Sequence, residues 1–141
     1  MVAPMPVMQV GQQAAMSKTI TEADMVLYSG IFGDFSPLHV NEEYARKTRL
    51  GARTASPMLA GGLVSSLLSN TLPGPEFIFL REQFEFLCPI FIGDTVTASV
   101  KVVAVEPEKR IVRLRTDCHN QAHKQILTGE AVLILLDKIS S

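Results

Sequence analysis

The chain has 141 residues, 47% of them hydrophobic and 19% charged, with 13 basic and 14 acidic side chains for a formal charge of -1. That length suits a single domain over residues 1–141 with one core and little room for a private cavity, and the balanced charge leaves no electrostatic footprint for nucleic acid. Cys88 and Cys118 are too far apart for a paired metal or redox motif, and no apolar run approaches the ~20 residues that cross a bilayer.

Residues from Met8 to Ile20 read as extended, with Gly11 as a bend. Thr21-Glu22-Ala23-Asp24 has the form of a capping box, so a helix is expected from Thr21 to about Phe32, ended by Gly33. Asn41 then caps a short helix to Lys47, with acids first and bases last as the helix dipole favours. Leu59, Leu63 and Leu67 recur every four residues, widened by Val64 and Leu68, and Pro73-Gly74-Pro75 stops that third helix. Its other positions are small (Ala60, Gly61, Gly62, Ser65, Ser66, Ser69), which predicts a buried helix. Strand character follows over Phe77 to Ile92, Thr95 to Glu106, Lys109 to Cys118 and Gln125 to Leu136, with short turns that imply antiparallel neighbours.

One strand, then helices, then four long antiparallel strands predict an α+β domain whose sheet of about five strands wraps a central helix. The apolar fraction is high for a monomer of this size and favours a homodimer. The N-terminus carries Pro4 and Pro6 and no basic residue before Lys18, unlike a secretory leader, so a soluble, cytoplasmic protein is expected.

Chemistry concentrates in Gly33-Asp34-Phe35-Ser36-Pro37-Leu38-His39. Pro37 bars regular helix across the segment, so Asp34 and His39 flank a turn in an irregular connection between helices. Taken alone, Asp34 can be a turn cap and His39 an ordinary partly buried histidine. Together they are also the two side-chain types best suited to pass a proton in opposite directions at one reacting centre.

The same segment resembles the Gly-Asp-x-Asn-Pro-x-His signature of the MaoC-like, (R)-specific enoyl-CoA hydratases. The likeness continues in order through Thr71-Leu72-Pro73-Gly74-Pro75, Leu80-Arg81-Glu82-Gln83-Phe84-Glu85-Phe86 with Pro89, Ile92-Gly93-Asp94-Thr95-Val96 and Thr128-Gly129-Glu130-Ala131. The resemblance implies a hot-dog fold and a hydro-lyase of fatty-acid metabolism that adds water to 2-enoyl thioesters carried on coenzyme A or acyl carrier protein, with no metal and no further cofactor. It implies Asp34 and His39 as the catalytic pair and Gly61 as the backbone N–H donor to the thioester carbonyl. Ser69 and Ser36 would support the site, and Leu72 would line an acyl tunnel. Ser36 stands where the signature has asparagine, and Ala60-Gly61-Gly62 is paired with the His-Gly-Met that usually opens the family's helix. Two other functions fit the same fold: thioester cleavage, or a non-catalytic subunit that binds acyl thioesters.

Overall fold

The computed structural model describes residues 4–137, so residues 1–3 and 138–141, the ends of the expected single domain, lie outside the described residues. Among these residues seven strands and four α-helices follow in the order β1 (Gln13–Thr19), α1 (Glu22–Phe32), α2 (Pro37–Val40), α3 (Glu42–Arg46), β2 (Thr54–Ala55), α4 (Met58–Asn70), β3 (Phe77–Phe86), β4 (Ile90–Phe91), β5 (Thr95–Glu106), β6 (Ile111–His119) and β7 (Gln125–Leu135), with a 3-10 turn, Pro107–Lys109, between β5 and β6. Five strands form one antiparallel sheet in the order β1-β5-β6-β7-β3, and α4 lies across it, touching every strand. This is the expected hot-dog architecture.

Local chemistry sets most boundaries. The Thr21 hydroxyl accepts the Asp24 N–H at 3.2 Å while the Asp24 carboxylate accepts the Thr21 N–H at 2.8 Å, so the capping box of α1 is complete. Gly33 ends that helix at φ 68°, a left-handed conformation that costs glycine little. In α4 the buried stripe is Ala60, Gly61, Leu63, Val64, Leu67 and Leu68, which contains the expected Leu63, Val64, Leu67 and Leu68 and leaves Leu59 half-buried at its edge. Small residues on that stripe bring the helix backbone close to the sheet: the Cys118 thiol reaches the Ala60 carbonyl at 3.8 Å, and burial pushes that thiol up to about 12. The opposite side of α4, with Gly62 exposed, is left open.

Two features depart from expectation. The long strand expected to Ile92 breaks after Phe86, and Ile90–Phe91 instead pairs with Thr54–Ala55 in a separate two-stranded sheet. The segment from Ser36 to His39 contains one turn of helix, α2, rather than irregular chain throughout.

Gly129 explains part of the Thr128-Gly129-Glu130-Ala131 motif. It pairs with Phe84 on β3, and a Cβ there would run into the Gln83 carbonyl, which belongs to the sheet backbone and cannot swing aside. Gly129→Ala is therefore expected to lower stability by about 1–3 kcal/mol, the usual cost of overpacking, and to loosen β3 first. Thermal unfolding together with amide exchange along β3 checks this; unchanged protection of β3 would contradict it.

Candidate active site

The candidate pair is positioned by a short chain of backbone bonds. Asp34 follows the left-handed Gly33, and its Oδ1 accepts the Ser36 N–H at 3.2 Å, closing a local turn. Ser36 is extended (φ -51°, ψ 130°), as a residue before proline tends to be. Pro37 then opens α2, where its missing N–H costs nothing. The Ser36 carbonyl accepts the N–H groups of His39 at 2.8 Å and Val40 at 3.2 Å. Ser36 thus serves through its backbone; its side chain makes no capping bond.

His39 is buried, and its Nδ1 lies 2.6 Å from the Thr54 carbonyl oxygen. A carbonyl only accepts, so Nδ1 carries the proton and Nε2 is the ring atom left to exchange one. The strand that presents Thr54 is tied down by its neighbour. Arg53 donates to both Glu22 oxygens at 2.9 and 2.7 Å, to Glu42 at 2.9 Å and to the His39 carbonyl at 3.4 Å, so one guanidinium joins α1, α3, α2 and the start of β2. Its bonds hold the Glu22 carboxyl below the usual carboxylate range.

Two hollows flank the start of α4. A cleft of about 350 Å³ is lined by His39, Thr54, Pro57, Phe86 and Cys88 among others. A groove of about 630 Å³ is lined by Tyr28, Phe32, Met58, Gly61, Ser65 and Phe84, with Leu59, Gly62, Phe79 and Glu82 completing it. Pro57 and Met58 are consecutive, and the rings of Phe84 and Phe86 lie 6.1 Å apart, so the two hollows meet at the amino end of α4 and the adjoining part of β3.

The other expected residues fall as follows. Gly61 lines the groove, not the His39 cleft; a Cβ on it would come within 2.9 Å of the Phe84 ring, and its N–H makes a long 3.4 Å bond to the Pro57 carbonyl. The helix begins at Met58, so Ser56-Pro57-Met58, not Ala60-Gly61-Gly62, occupies its opening. Pro57 brings no N–H to that end. Ser69 is the penultimate residue of α4, eight residues or about 12 Å beyond Gly61 at the helical rise, and is absent from the groove wall; Ser65, one turn from Gly61, is in it. Leu72 is buried in the core cluster instead of lining the groove.

Three positions carry site roles that the sequence pattern did not single out: Thr54, Arg53 in its clamping role, and Glu82. Both Glu82 carboxyl oxygens are shut off from solvent with no hydrogen-bond partner among the described residues, and burial pushes this carboxyl up to about 7. The described residues contain no cluster of histidine, cysteine and carboxylate side chains able to hold a metal ion, and no described helix is long and apolar enough to cross a membrane.

Fold and site together define a hot-dog protein with a buried, tautomer-locked histidine beside a central helix. Residues 7–123 match the model of the MaoC-like domain, and the chain belongs to that family. It is 43% identical over 125 residues to an (R)-specific enoyl-CoA hydratase of Rhodospirillum rubrum, covering 89% of this chain and 86% of that protein. It is 37% identical to the (R)-specific enoyl-CoA hydratase of Aeromonas caviae, covering 91% of this chain and 96% of that one. The solved structure of an (R)-hydratase from A. caviae involved in PHA biosynthesis superposes with a TM-score of 0.89 at 36% identity, over 92% of this chain and 98% of the other. An unliganded R-hydratase from Pseudomonas aeruginosa superposes at 0.88 with 34% identity, over 97% and 88%.

The raised Glu82 pKa makes a stability prediction. The unfolded carboxyl ionises near its ordinary 4.5 and the folded one near 7, so the folded state is penalised progressively as pH rises between those values and by a constant amount above them. The ceiling is about 3 kcal/mol at 1.36 kcal/mol per unit, lowered by whatever screening reaches the partly buried side chain. Glu82→Gln should match the parent at pH 4.5 and exceed its stability increasingly towards pH 8, read from urea midpoints across that range. A constant difference at every pH would contradict the assignment.

Proposed function

We infer that this chain is an (R)-specific enoyl-CoA hydratase, a hydro-lyase that reversibly adds water to trans-2-enoyl thioesters. The observation that carries the mechanism is the His39 Nδ1 contact with the Thr54 carbonyl at 2.6 Å, which commits the opposite ring nitrogen to proton exchange. Hydration breaks one O–H bond of water as its oxygen joins the β-carbon, and delivers a proton to the α-carbon. Asp34 and His39 hold the water between them and divide those two transfers. Negative charge gathers on the thioester oxygen meanwhile. The Gly61 N–H, whose bond to the Pro57 carbonyl is long at 3.4 Å, is the donor for that oxygen near the amino end of α4, where a single preorganised donor is worth ~3 kcal/mol.

The substrate then spans both hollows, with the reacting end in the His39 cleft and the acyl chain in the apolar groove. The reaction is redox-neutral and draws on no cofactor beyond the carrier, coenzyme A or acyl carrier protein, to which the acyl group is attached; it places the protein in fatty-acid metabolism. A homodimer completes the reading. Strand β3 is a ten-residue sheet edge on which Ile78, Leu80 and Phe86 are exposed, and an apolar edge of that length invites pairing. An antiparallel partner would extend the sheet across the two subunits.

Asp34→Asn and His39→Gln should each lower the hydration rate of crotonyl-CoA by at least ~100-fold, followed as loss of enoyl absorbance, with folding verified by circular dichroism. No free thiol should accompany turnover by the parent protein. A variant that hydrates at the parental rate would remove this mechanism, and stoichiometric thiol release would replace it with thioester cleavage.

A further inference from the structure

The groove beside α4 is apolar apart from the Tyr28 ring hydroxyl and two polar residues contributed by different elements. Ser65 is contributed by the helix and Glu82 by the sheet. Glu82 reaches this wall because β3 carries a bulge between Phe79 and Arg81. Before the bulge Phe77 and Phe79 pair with Leu135 and Leu133; after it Glu82 and Phe84 pair with Ala131 and Gly129. These β7 residues alternate along the face that packs against α4, so the extra residue turns Glu82 inward and Arg81 outward.

The carboxyl that arrives there finds no hydrogen-bond partner among the described residues. An unpaired buried polar group is costly, and a ligand atom that satisfies it is selected strongly over one that does not. The proton that burial retains to about pH 7 makes this carboxyl both a donor and an acceptor. A hydroxyl has the same dual character, whereas a methylene answers neither half.

We propose that Glu82, with Ser65 on the helix wall of the same groove, is a specificity-determining residue that favours enoyl thioesters bearing a hydroxyl on the acyl chain over plain hydrocarbon chains of equal length; the turnover half of this proposal rests on the hydratase reading. A saturated chain laid along the groove leaves the carboxyl unpaired, while a hydroxylated chain reaching that depth closes the bond with Glu82 and Ser65.

The test compares trans-2-enoyl-CoA substrates of four to eight carbons with their chain-terminal hydroxyl counterparts, by kcat/KM. Hexanoyl-, 6-hydroxyhexanoyl-, octanoyl- and 8-hydroxyoctanoyl-CoA, which have no double bond to hydrate, are titrated calorimetrically in parallel. The parent should prefer the hydroxylated chain at one or more lengths by at least ~10-fold, in line with polar discrimination by a buried site. Glu82→Gln should retain most of that preference, and Glu82→Leu should abolish it by improving the plain chain. No preference in the parent at any length, or the same preference in Glu82→Leu, overturns the proposal. Absence of turnover with every substrate, alongside a Glu82-dependent hydroxyl preference in the calorimetry, would remove the hydratase reading and uphold the groove's selectivity.

Discussion

The site depends on one hydrogen bond between residues fifteen positions apart, from the His39 ring to the Thr54 carbonyl. An imidazole can rotate, flip and change tautomer, and each of those freedoms would spread its proton over positions where it does no work. A carbonyl partner removes them together, because it accepts and never donates. The bond in turn requires that the Thr54 carbonyl be stationary. Thr54 pairs with Phe91 in the two-stranded sheet, and the preceding residue, Arg53, is gripped by Glu22 and Glu42. Both acids are more than half exposed, so these pairs are weak in energy. Their value is geometric, since a planar guanidinium bonded to two carboxylates and a carbonyl has few orientations left.

Helix α4 is the other fixed point. Its small stripe lets Phe84 and Cys118 approach the helix backbone near Ala60 and Gly61, and a bulkier helix would stand further from the sheet and widen the groove into solvent. The same closeness places Phe84 and Phe86 alongside the helix opening, where the cleft and the groove meet. Packing of α4 against the sheet therefore helps set the shape of the groove, so a change in the core at Ala60, which lines neither hollow, acts on the site without touching it.

What was legible in the amino-acid order follows from how far each signal travels. The capping box at Thr21, the stop at Gly33 and the cap at Asn41 rest on contacts within three or four residues, and all three stand in the structure. The pairing of strands separated by tight turns is nearly as local. The Thr54 contact depends on a pairing between Thr54 and Phe91 that no short pattern announces. The four-residue spacing of the leucines marks the covered face of α4 at Leu63, Val64, Leu67 and Leu68, but it does not give height along the helix, and Ser65, one turn before Ser69 on the same side, is the serine on the groove wall. The family resemblance pairs Ala60-Gly61-Gly62 with the opening of the helix, whereas the helix begins at Met58, directly after Pro57. Glu82 was hidden by the bulge, since strict alternation from Phe77 and Phe79 places it outward with Ile78 and Leu80.

Strand β3 concentrates the places where this chain departs from what monomer stability alone would favour. Along one ten-residue element a carboxyl is buried with no partner among the described residues while Ile78, Leu80 and Phe86 face solvent. Deleting the bulge would correct the first fault by returning the carboxyl to water, but it would also reverse the facing of every residue beyond it and withdraw Phe84 from Gly61. The bulge thus couples the two: the register that builds the aromatic wall at the helix opening is the register that buries the acid. Local rules broken at one strand, in a domain otherwise consistent from caps to core, are the physical mark of a surface shaped by what it binds.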